Sequence, residues 1–156
     1  LRETLFNILA PRIQGARVLD GYAGTGAVGI EAMSRDAAHV TFVDADPRAI
    51  TLIAENLAAC RVEQGYTIDV GDIVSVLRRL PLDARFDLIL LDPPYGADNV
   101  VETLTAAAAR LAVGGLLALE RATRRQLEVP DTLVRVRDVT SGDSTLTFMQ
   151  VRESQL

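Results

Sequence analysis

Four short apolar runs in this chain each lead into an aspartate. They are Arg17-Val18-Leu19 before Asp20, His39-Val40-Thr41-Phe42-Val43 before Asp44, Tyr66 to Gly71 before Asp72, and Phe86 to Leu91 before Asp92. Helical patterns separate them. Strands are expected near 17–20, 39–43, 66–70, 86–91, 115–120, 132–139 and 145–151. Helices are expected near 2–10, 26–35, 47–60, 72–80 and 98–112, with Gly114-Gly115 ending the last long helix. Alternating strand and helix gives a parallel sheet covered on both faces. Ser141-Gly142-Asp143 between the last two strands is a hairpin signal, so the final strand is antiparallel. The expected fold is α/β, a Rossmann-like, seven-stranded, mostly parallel sheet. Ligands of such sheets bind beyond the carboxyl ends of the strands. Four acids at equivalent strand ends therefore mark a binding edge.

The first of these ends is followed by Gly21-Tyr22-Ala23-Gly24-Thr25-Gly26 and then by a helical segment. A glycine-rich turn between strand and helix lets a ligand approach the backbone closely. Gly24-x-Gly26-x-x-Gly29, with Asp44 further on, also fits the dinucleotide fingerprint. The spacing argues against that reading. In the dinucleotide motif the glycines follow the strand directly and the helix start faces pyrophosphate. Here Asp20 ends the strand and three residues precede Gly24. A carboxylate there repels pyrophosphate and suits a ligand with an amino group and a positive charge. Asp44, with Ala45 beside it, stands where an acid takes ribose hydroxyls. Asp46-Pro47 reads as an N-cap and first helical residue. Asp72 either meets a purine amino group, with Ile73 against the ring, or simply caps the helix that follows.

Asp92-Pro93-Pro94-Tyr95 closes the fourth strand. Two prolines lock the backbone and remove two N–H donors. A carboxylate, free carbonyls and an aromatic ring remain on a rigid edge. Such an edge accepts hydrogen bonds from an amino group and stacks on a flat ring, which is what holding a nucleobase by its exocyclic amine requires.

Composition fits a compact enzyme. One domain spanning 1–156 is expected, and a chain of this size buries about 70% of its unfolded surface. Hydrophobic residues make up 49%, enough for a core on both sheet faces, and no apolar stretch is long enough to span a bilayer. The single cysteine, Cys60, reads as a packing residue and fits a reducing, cytoplasmic setting. The lone His39 has no partner in sequence and reads as structural; no metal-ligand cluster is recognisable. Net charge is −5, yet binding to nucleic acid needs local positive charge. All sixteen basic residues are arginine. Arg78-Arg79 and Arg121 with Arg124-Arg125 are either phosphate contacts or solvated ends.

Several segments together resemble a known family. They are Arg2 to Leu9, Leu19 to Ala32, Asp92 to Tyr95 and Gly142 to Leu146. They are similar to the bacterial 16S ribosomal RNA guanine-N2 methyltransferases, and the likeness covers essentially the whole chain. Asp-x-x-x-Gly-x-Gly is the usual first motif of class I methyltransferases, and Asp-Pro-Pro-Tyr belongs to enzymes that methylate exocyclic amines of bases. The resemblance implies S-adenosylmethionine as cofactor, with Asp20, Gly21, Tyr22, Ala23, Gly24, Gly26, Asp44, Ala45, Asp72 and Ile73 around it. It implies Asp92, Pro93, Pro94 and Tyr95 as the catalytic segment. The implied partner is 16S ribosomal RNA in a small-subunit particle, met by a monomer without metal or membrane. Phe6 and Asn7 either close the cofactor pocket or, for Phe6, pack in the core. Family members carry a basic β-hairpin segment ahead of the position of Leu1, so this chain is expected to be truncated and to act poorly on RNA by itself. The alternatives are an adenine-N6 methyltransferase of DNA or RNA, and a non-catalytic nucleotide-binding module.

Overall fold

The computed structural model describes residues 1–153. In chain order the elements are α1 (Arg2–Ile13), β1 (Arg17–Asp20), α2 (Ala27–Ser34), β2 (His39–Asp44), α3 (Pro47–Ala59), β3 (Tyr66–Val70) and α4 (Ile73–Arg79). Then come β4 (Phe86–Leu91), α5 (Val100–Ala108), β5 (Leu111–Ala122), β6 (Leu133–Ser141) and β7 (Ser144–Val151). The strands form one seven-stranded sheet in the order β3-β2-β1-β4-β5-β7-β6. β1 to β5 pair in parallel, and β7 is antiparallel to both β5 and β6. This is the expected α/β, mostly parallel architecture with an antiparallel hairpin at one side.

Strand periodicity sorts the core into two layers. Val18, Leu88, Leu90, Leu116 and Ala118 face one side with Phe6, Leu9 and Ile13 of α1, Ala32 of α2, and Ile53 and Leu57 of α3. Leu19, Ile89, Leu91, Leu117 and Leu119 face the other with Ile73, Val74 and Leu77 of α4 and Leu104 and Ala107 of α5. Consecutive residues of β1, β4 and β5 thus feed opposite layers, which is why these strands are continuous apolar runs rather than alternating ones. The strand order reverses at β1, between β2 and β4. That is the switch point where the carboxyl edge opens into a crevice.

Three local expectations are corrected. α1 continues through Pro11 to Ile13 instead of stopping near residue 10. Proline costs the helix one hydrogen bond, but fully buried Leu9 and Ile13 hold the last turn on the sheet. α5 ends at Ala108, not near 112, and Gly114-Gly115 lies inside β5. The register of β4 against β5 slips there, Phe86 pairing with Leu111 and Leu88 with Leu116. A Cβ on Gly115 would sit 2.8 Å from the Asp87 carbonyl oxygen, so the glycine lets the bulged strand pass close to its neighbour. Cys60, expected as a packing residue, is exposed at the end of α3. Its position after the last buried contact of that helix, Leu57, leaves it beyond the packed face.

Candidate active site

The loop after β1 is stitched to the strands on either side of it. Gly21 N–H donates to the Leu90 carbonyl at 2.9 Å and Ala23 N–H to the Val43 carbonyl at 2.9 Å. Gly26 N–H closes the turn onto the Ala23 carbonyl at 2.7 Å, and the Asn56 side chain of α3 donates to the Thr25 carbonyl at 2.8 Å. Gly24 has φ +57, and a Cβ built on it would meet nothing within 4 Å. It borders a cavity of about 280 Å³ lined also by Asp20, Tyr22, Ala23, Thr25, Leu90, Asp92 and Glu120. Open space over a bare glycine is a cradle for a ligand against the backbone.

Asp20 is 5% exposed. Its carboxylate accepts the Gly29 N–H at 3.1 Å from the first turn of α2. Burial pushes its pKa up to about 7, against the lowering effect of that hydrogen bond, and the Asp44 and Asp92 carboxylates add to the rise. A buried acid held this high is stabilised in its charged form by a cation, which fits a ligand carrying an ammonium or sulfonium group. Tyr22 is half-buried, with its hydroxyl 3.5 Å from Thr103 Oγ1, and its pKa is raised above the usual phenol value chiefly by burial.

Asp44 ends β2 and uses both carboxylate oxygens. One accepts the Gly24 N–H at 2.8 Å and the other the Asp46 N–H at 2.9 Å. Asp46 caps α3 as expected, accepting the Arg48 N–H. Asp72 accepts the Ser75 N–H and hydroxyl, each at 3.2 Å, so it caps α4. Ile73 is buried, with its Cδ1 3.5 Å from where a Gly21 Cβ would stand. Gly21, Gly26, Asp44, Ala45, Asp72 and Ile73 lie outside the lining of the cavity, whereas Asp20, Tyr22, Ala23 and Gly24 form part of it.

The Asp92-Pro93-Pro94-Tyr95 segment leaves the end of β4 and turns, Ala97 N–H donating to the Pro94 carbonyl at 3.1 Å. It forms one wall of a second cavity, about 580 Å³ in volume. The opposite wall is the end of β5 with Arg121, Arg124 and Arg125, and the tip of the β6–β7 hairpin adds Asp143 and Ser144. That tip is pinned by Thr123 N–H on the Asp143 carbonyl at 2.8 Å and by the Thr123–Thr145 hydroxyl pair at 2.8 Å. Tyr95 is 85% exposed, with its hydroxyl bound by Arg124 at 3.0 Å. A ring offered to solvent and steered by a cation is available for stacking.

Asp92 and Glu120 line both cavities. Asp92 has its pKa raised to about 6 by partial desolvation, then by the charge of Glu120 and a hydrogen bond between the two side chains. Glu120 was not found by sequence reasoning. Its signal was only its place at the end of the fifth strand, where it carries no motif. Arg2 and Leu5 of α1 were also missed, and they cover the smaller cavity. Of the two residues expected there, Phe6 is fully buried in the core beneath the Arg35 guanidinium, and Asn7 is exposed outside the lining. Among the basic pairs, Arg121 is tied to Thr147, the Arg125 carbonyl and Asp138, while Arg124 and Arg125 face the larger cavity. Arg78 and Arg79 line neither cavity and bind Glu102 and the Val70 carbonyl. His39 Nε2 meets Thr67 Oγ1 at 2.9 Å on the sheet. Among the described residues no three His, Cys, Asp or Glu are grouped to hold a metal ion, and no helix is long and apolar enough to cross a membrane.

Several known proteins are similar to this chain. The ribosomal RNA small subunit methyltransferase D of Haemophilus influenzae is 30% identical over 91% of this chain and 75% of its own length. A tRNA (guanine(10)-N2)-dimethyltransferase of Methanothermobacter thermautotrophicus is 34% identical over 67% of this chain and 32% of its own. The Escherichia coli structure of yhhF, described as a candidate methyltransferase, superposes with a TM-score of 0.88 at 29% identity, covering 98% of this chain and 86% of that one. The model of the family described as conserved hypothetical protein 95 matches residues 1–150. The chain belongs to that family, and it is kin to the methyltransferases its sequence motifs resemble.

Proposed function

We propose that this chain transfers a methyl group from S-adenosylmethionine to the exocyclic N2 of a guanine in small-subunit ribosomal RNA. The observation that carries the reading is the placement of Asp92 in the lining of two cavities at once. One has the buried acid and the glycine cradle that suit a cationic cofactor. The other has the aromatic ring and arginines that suit an extruded nucleotide. The relatives named for ribosomal RNA and for guanine N2 support the substrate.

In this reading Asp20, Tyr22, Ala23 and Gly24 would hold the cofactor, and the Asp44 carboxylate braces the turn they form. When bound, S-adenosylmethionine supplies an electrophilic methyl group. Asp92 and the Pro93 carbonyl accept hydrogen bonds from the two amino hydrogens of the base. Those bonds draw the nitrogen lone pair out of conjugation and favour positive charge as it develops. The rigid proline pair fixes the acceptors in advance, so most of the rate gain is positioning. After transfer the nitrogen is acidic, and Asp92 or water takes its surplus proton. Tyr95 stacks on the base, and Arg124 and Arg125 meet phosphate.

The test is tritium transfer from labelled cofactor to small-subunit particles of a strain lacking the enzyme, followed by nucleoside analysis. N2-methylguanosine is the expected product. N6-methyladenosine would move the assignment to adenine.

A further inference from the structure

The geometry points to Glu120 as the residue that selects guanine over adenine, by accepting the N1 hydrogen of the base whose amino group Asp92 holds. The inference rests on the guanine reading above and adds a residue to it. β4 and β5 run parallel with Leu91 paired to Leu119, so the next residues, Asp92 and Glu120, stand side by side at the carboxyl edge. Both residues line the cavity assigned to the base, and both border the cavity assigned to the cofactor. Glu120 is half-buried, and its carboxyl lies within hydrogen-bonding reach of Asp92. The next residue, Arg121, is committed to Thr147, the Arg125 carbonyl and Asp138.

Two adjacent carboxyls hold at most one shared proton between them, and ionising both is unfavourable until a ligand brings donors to both. The Watson–Crick edge of guanine does so. It carries the N2 amino hydrogens and, next to them, the N1 hydrogen. Adenine presents its amino group beside an unprotonated N1, whose lone pair would face the Glu120 carboxylate. The arrangement thus attracts guanine and repels adenine with one side chain, and specificity gains from both effects. Asp92 and the proline edge alone serve either amine. Glu120 makes the difference between them and takes no part in forming the new bond.

The test uses an RNA in which the methylated guanine, once mapped, is replaced by 2-aminopurine. That base keeps the 2-amino group and lacks the N1 hydrogen. Tritium transfer to the assembled small-subunit particle is compared for wild type and E120Q, with calorimetry of S-adenosylhomocysteine binding as the check that the cofactor site is intact. Wild type is expected to prefer guanine by about tenfold or more in kcat/KM, as for loss of one specific base contact. E120Q is expected to retain measurable binding of the cofactor product and to narrow that preference to within about threefold, because its amide can donate to an unprotonated N1. E120D serves if E120Q does not bind the cofactor product, and it should keep the preference at lower turnover. N2-methylguanosine formation with an unchanged preference in E120Q would overturn the role of Glu120 alone. N6-methyladenosine from the wild type would overturn the guanine reading and this inference with it.

Discussion

The Asp44 carboxylate accepts the Gly24 N–H at 2.8 Å, twenty residues away in sequence, and ties the end of β2 to the glycine turn after β1. Its second oxygen holds the Asp46 N–H at 2.9 Å. The residue that suits ribose hydroxyls is therefore also a brace of the cradle. Asp44→Ala should weaken S-adenosylmethionine binding by about 1 to 3 kcal/mol, the usual cost of losing hydrogen bonds to a charged group. Asp44→Asn keeps an acceptor for Gly24 and should lose less. Calorimetry of both variants separates the two, and equal binding by wild type and Asp44→Ala would remove Asp44 from the site.

Asp92 is expected to behave differently. It touches the smaller cavity from its edge but belongs to the Asp-Pro-Pro-Tyr wall of the larger one. Asp92→Ala should leave cofactor affinity nearly unchanged and lower turnover on the order of 100-fold, as removal of one preorganised transition-state hydrogen-bonding group does. Single-turnover methyl transfer with saturating cofactor measures this directly. Loss of cofactor binding with turnover preserved would reverse the assigned roles.

The acid dependence of the reaction follows from the same residue. Asp92 accepts hydrogen bonds through both oxygens only when ionised, and its pKa is raised to about 6 by desolvation and by Glu120. With cofactor saturating, kcat/KM toward RNA should rise with pH through about 6 and then level off. Removing the neighbouring charge favours ionisation, so in E120Q the inflection should move to lower pH. A profile flat from pH 5 to 8 would be incompatible with a required Asp92 carboxylate.

Much of this site was legible in the chain because its parts sit at strand ends. The apolar runs before Asp20, Asp44 and Asp92 locate the carboxyl edge, and one proline pair and one glycine turn mark the two sides of the crevice. Asp72 was legible only to the point of two alternatives, and it caps α4 through Ser75. What stayed hidden depends on pairing between distant segments. Glu120 meets Asp92 through the register of β4 and β5, and Leu5 covers the cavity through the docking of α1. Gly114-Gly115 reads locally as a helix stop, whereas in the fold it serves a strand bulge, and α5 ends before it. Local sequence carries turn chemistry well and long-range register poorly.

The buried acid also predicts how stability depends on pH. Asp20 has its pKa raised from 3.8 to about 7 in the folded state. Between those values the folded chain binds a proton that the unfolded chain has lost. Stability contributed by this group is therefore full below about 4 and falls as pH rises toward about 7. Asn in its place can still accept the Gly29 N–H and has no charge to desolvate. Asp20→Asn should match or trail the wild type in melting temperature at pH 4.5 and exceed it at pH 8, with a swing of up to a few kcal/mol. The same variant should lose affinity for S-adenosylmethionine, since the cation would have no carboxylate to meet. Adding the cofactor at pH 8 should raise the melting temperature of the wild type more than that of the variant. Parallel melting curves for the two proteins across pH 4.5 to 8 would show that Asp20 does not change protonation on folding, and would overturn the expected pH dependence.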